Sequence, residues 1–69
     1  MTRNERLTLA QAAMARAAGL ARDAEENARS AHFRDKAAPL AAASTAWAEI
    51  ARSHAALAAV LPETEDDRG

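Results

Sequence analysis

Seven positions in the second half of the chain, Leu40, Ala43, Trp47, Ile50, His54, Leu57 and Leu61, alternate in steps of three and four. That spacing brings them onto one stripe of an α-helix, the a/d seam of a helix packed lengthwise against another. A strand needs a period of two, and no such pattern occurs anywhere in the sequence. The faces around the seam constrain the chain further. Between Pro39 and Pro62 the only formal charges are Glu49 and Arg52, and most other positions are Ala, Ser or Thr. A helix with so little charge on its outer faces is expected to be covered on more than one side. The stripe of Ala41, Ala48 and Ala55 is the expected second contact surface.

The first half carries a similar seam at Leu7, Ala10, Met14, Ala17, Ala21, Ala24, Ala28 and Ala31. Its start is marked by Thr2 and Glu5, spaced as a capping box. The pairs Arg22–Glu26 and Glu25–Arg29 stand at i,i+4, which supports helix across that stretch. Gly19 interrupts the pattern at a cost of about 1 kcal/mol relative to Ala. It is expected on the outer face of a continuous helix, the alternative being a break that would make three helices. Residues 34–38 are the expected connection, with Asp35 capping the second helix and Pro39 in its first turn, where a missing N–H costs little. Pro62 closes it.

The fold class that follows is all-α: an antiparallel helical hairpin of two long helices, about 3–34 and 38–61, followed by an acidic, disordered tail over 62–69. Its bulk is scarce. Among 69 residues, 22 are Ala, and only eleven from Leu7 to Leu61 are larger apolar side chains suited to a core. There is no Cys, so no disulfide can staple the fold. Oligomerisation is the remaining common remedy for a scaffold this small. Two hairpins are therefore expected to dimerise into a four-helix bundle, with Leu40, Ala43, Trp47, Ile50, His54, Leu57, Leu61, Leu7 and Met14 as interface residues. Trp47 is the expected anchor, because Trp is enriched at interface hot spots.

Charge excludes little. The net charge of the whole chain is −1. Residues 1–61 carry eight basic and six acidic side chains, whereas four of the five charged residues in 62–69 are acidic. Neither balance demands a nucleic acid or a membrane as partner. The N-terminus, with Arg3, Glu5 and Arg6, does not read as a signal peptide. Glu49, Arg52 and His54 at the centre of the second helix argue against a membrane span. A cytoplasmic, soluble protein is the expectation.

No constellation for catalysis stands out. Asp23, Glu25 and Glu26 form an acidic cluster, but Arg22 and Arg29 flank them at salt-bridge spacing, as on a solvated face. The E-x-x-H and H-E-x-x-H metal patterns are missing, as is a Gly-rich phosphate loop. His54 has no His or carboxylate at i±3 or i±4, so helical metal-ligand spacing is lacking. It reads as a hydrogen-bonded seam histidine, with a proton-sensitive or register-fixing role as the alternatives. His32 suits the C-terminal end of the first helix. No catalytic, metal or cofactor residues are assigned.

The leading expectation is a non-enzymatic protein that self-associates or binds another protein as an assembly, adaptor or regulatory element. The alternative is a nucleic-acid-binding hairpin using Arg16, Arg22 and Arg29 on the first helix against phosphates. Five acids share that segment, which weakens it. A third reading docks the second helix in a hetero-complex, with the acidic tail steering a basic partner.

Overall fold

A computed structural model describes residues 1–62, which form two helices packed against each other. Helix α1 spans Arg3–Arg29 and opens on the expected capping box. The Glu5 N–H donates to the Thr2 hydroxyl at 3.1 Å, and the Thr2 N–H donates to a Glu5 carboxylate oxygen at 3.2 Å. Those bonds, the backbone one foremost, hold the Glu5 carboxyl below its ordinary value.

Helix α1 ends earlier than its apolar pattern suggests, at Arg29 rather than near Arg34. The reason is Ser30. Its hydroxyl accepts from the backbone N–H groups of His32 and Phe33, at 3.2 and 3.3 Å, giving the chain a turn in place of another helical bond. A 3₁₀ turn at Arg34–Lys36 then leads directly into helix α2, Ala37–Val60. Asp35 lies inside that turn and does not cap α2, whose entry has no side-chain cap. Pro39 occupies the first turn of α2, where no N–H is missed. Residues 63–69, most of the acidic tail expected from the sequence, lie outside the described residues.

Cross-helix contacts set the pairing. Ser44 donates its hydroxyl to the Ala17 carbonyl at 2.7 Å, Arg6 meets His54, and Arg16 sits over Trp47. Rising numbers on α1 meet falling numbers on α2, so the hairpin is antiparallel.

The core differs from the seam expected of either helix. The buried residues are Ala13, Ala17 and Ala24 on α1 and Ala51 and Ala58 on α2. Half-buried Arg6, Ala10, Leu20 and Asn27 extend the first line, and Leu40, Ser44, Ala48, His54 and Leu61 the second. Ala10, Ala17, Ala24, Leu40, His54 and Leu61 belong to both the expected and the observed stripes. At the alternate positions the contact line moves by one residue, from Leu7 to Arg6, Met14 to Ala13, Ile50 to Ala51 and Leu57 to Ala58. Trp47, Ile50 and Leu57 are consequently 36 %, 42 % and 44 % exposed, so Trp47 is not a core anchor of the hairpin.

The physical cause is the size of the alternate residues. Ala on both helices lets the backbones approach until a short Ser44 side chain reaches a carbonyl of the opposite helix. A line of Leu, Met and Trp would hold the axes at the ordinary helix separation of about 8–10 Å. Close approach gains dispersion contacts along the whole seam.

Helix α1 runs unbroken through Gly19, which is half-buried and, at about 100° per residue, lies well around the helix from Ala13, Ala17 and Ala24. A methyl group there would meet no non-local atom nearer than an Arg22 guanidinium nitrogen, at 4.0 Å. Gly19→Ala is therefore expected to raise stability by about 0.4–1 kcal/mol, read as a higher thermal midpoint by circular dichroism. A lower midpoint would mean that the position needs its glycine.

Candidate interaction surface

Because the contact line is built from Ala, the large apolar side chains are displaced to its two flanks. On one flank α2 presents Trp47, Ile50 and Leu57. The Arg16 guanidinium lies 5.7 Å from the centroid of the Trp47 ring, a cation–π contact. Arg6 Nη1 approaches His54 Nδ1 at 3.1 Å. A guanidinium has only donors, so Nδ1 is the accepting atom of this contact. His54 thus ties the start of α1 to α2 as a hydrogen-bonded seam histidine. Arg6, Glu49, Ile50, Ser53, His54 and Leu57 share an open hollow on this flank.

A separate groove runs between the helices and is lined by Leu7, Ala10, Gln11 and Met14 of α1 and by Ala48, Ala51, Arg52 and Ala55 of α2. Its volume is about 370 Å³. Ala51 forms its floor, Leu7 is half-buried, and Met14 is 56 % exposed. Arg52 is the one formally charged side chain in that lining.

The candidate interface residues from the sequence therefore separate into three groups. Leu40, Ala43 and Leu61 are half-buried along the hairpin. Trp47, Ile50, His54 and Leu57 belong to one flank, while Leu7 and Met14 border the groove. Of the Ala41, Ala48 and Ala55 stripe, the last two line that same groove. The Arg6–His54 and Arg16–Trp47 contacts had no signal in the sequence. They depend on the pairing of residues 48 and 31 positions apart.

The three arginines named for nucleic acid do not form one continuous stripe. Arg29 is ion-paired with Glu25. Arg16 is held at Trp47, and at 100° per residue it lies about 120° around α1 from Arg22. Among the described residues no group of three or more His, Asp or Glu is placed to hold a metal ion. No described helix is long and apolar enough to cross a membrane.

Comparison with family models, curated proteins and solved structures gave no match.

Proposed function

We propose that this chain is a non-enzymatic helical module that works by self-association, two hairpins covering each other's flanks as a four-helix bundle. One observation carries the reading: among the described residues the buried apolar side chains are five alanines, and larger ones such as Met14 stand exposed beside them. Each of those larger side chains is worth about 1.5–3 kcal/mol when fully buried. Within one hairpin a large share of that is unrealised for Met14, which is 56 % exposed. A scaffold this small seldom folds well on so thin a core, and a second layer of helices supplies the missing burial. The low charge of α2, with Glu49 and Arg52 alone between Pro39 and Pro62, suits a helix covered on more than one side.

Light scattering at micromolar concentration is the direct test. The expected mass is that of a dimer. A well-folded monomer would reject the proposal.

A further inference from the structure

We infer that the second copy docks in the groove between Leu7, Met14, Ala48 and Ala55, about a two-fold axis parallel to the helices. This rests on the self-association proposed above and adds which face is used and how the copies are arranged.

The groove is self-complementary in size. Its α1 wall bears the large side chains, Leu7 and Met14, and its α2 wall the small ones, Ala48 and Ala55. Both pairs are seven residues apart, two helical turns or about 10.5 Å. The hairpin register aligns them in height. With Ala17 opposite Ser44 and Arg6 opposite His54, Ala55 lies within one or two residues of the height of Leu7, and Ala48 within one or two of that of Met14. A two-fold axis along the hairpin exchanges left and right while preserving height. It therefore lays α1 of one copy antiparallel across α2 of the other. Leu7 then meets the partner copy's Ala55, Met14 meets its Ala48, and the same contacts repeat by symmetry. Large side chains fill small-residue hollows on both sides, and Met adapts to what gap remains.

Charge favours this face over the other. The groove lining holds one charge per chain, Arg52, and the axis brings the Gln11 amide of the other copy near its height as a hydrogen-bond acceptor. The Trp47 flank holds three charges, Arg6, Arg16 and Glu49, and a symmetric contact there would take twice that number out of water. Arg16 also already covers part of the Trp47 ring.

The chain has no Cys, so introduced thiols report cleanly. Met14→Cys and Ala48→Cys variants, mixed in equal amounts under mild oxidation, are expected to form a covalent dimer much faster than either variant alone. Each thiol then faces the other across the two-fold axis. Leu9→Cys mixed with Ile50→Cys, on the opposite flank, serves as the control. In light scattering, Met14→Glu is expected to weaken the dimer by on the order of a hundredfold, since it replaces an apolar contact by a carboxylate that must leave water. Ile50→Glu is expected to leave the mass unchanged. Should Met14→Glu fail to fold, the thiol pairs still decide. Cross-linking of the control pair, or a dimer in which Met14 and Ala48 do not cross-link, overturns the groove and its axis while leaving self-association standing. A wild-type chain that is monomeric and folded removes both.

Discussion

Ala51→Leu is expected to destabilise the hairpin by about 1–3 kcal/mol, the usual cost of overpacking a filled site. Ala51 is 2 % exposed and lies in the line of small buried residues between the two helices. Three added carbons either force the helices apart or turn into the groove whose floor Ala51 forms, where they take the space proposed for the second copy. Separation also strains the Ser44 bond to the Ala17 carbonyl, 2.7 Å long and dependent on the same close approach. Domains of this size rarely have more than about 3–5 kcal/mol of core stabilisation to lose. Loss of helical circular dichroism at room temperature is thus within the expected range. Ala42→Leu makes the same chemical change at an exposed position of the same helix and is expected to stay within about 0.5 kcal/mol of wild type. Equal urea midpoints for the two variants would show that the alanine seam is not tightly packed.

Thermal stability should depend strongly on protein concentration. If folding is completed by a second copy, stability is inseparable from protomer concentration. A hundredfold dilution then lowers the apparent stability by about 2.7 kcal/mol, since each tenfold is worth about 1.4 kcal/mol. The cooperative unit is then two chains, for which about 2–4 °C accompanies each kcal/mol, so the midpoint should fall by on the order of 5–10 °C. Unfolding followed by circular dichroism across that dilution reads the effect directly. A midpoint that does not move would show that one hairpin is stable by itself, which would count against self-association as the source of the missing core.

Local features were readable because their causes lie a few residues apart. Thr2 and Glu5 satisfy each other's turn, so the capping box marks the start of α1 without reference to the rest of the chain. Glu25 and Arg29 are one helical turn apart and form their pair on any exposed helix. Pro39 and Pro62 bracket α2 for equally local reasons. The end of α1 was missed because two signals competed there. Ala28 and Ala31 continue the apolar stripe, while the Ser30 hydroxyl offers two backbone N–H groups an alternative partner. The same turn displaced Asp35 from the capping role that its position suggested.

The choice of contact line was a different kind of problem. Each helix carries two stripes of three-four spacing that share nearly half their positions and part at pairs such as Met14 or Ala13, Ile50 or Ala51 and Leu57 or Ala58, where one stripe has the larger apolar side chain. Hydrophobic periodicity favours the stripe with more bulk, because it weighs each residue by what it would gain from burial. Packing two helices side by side favours the stripe that lets them come closest. That gain belongs to the pair of helices, and no single residue in either sequence pattern records it.

The sequence by itself therefore determined two amphipathic helices, their approximate limits and the scarcity of bulk for a core. These follow from periodicity, capping chemistry and composition, all of which act over one or two turns. Only the tertiary structure decided which face of each helix turns inward, that His54 answers Arg6, and that Trp47 lies beneath Arg16. Those outcomes depend on how near two backbones can come, and that distance is set jointly by Ala13, Ala17 and Ala24 on one helix and Ala51 and Ala58 on the other.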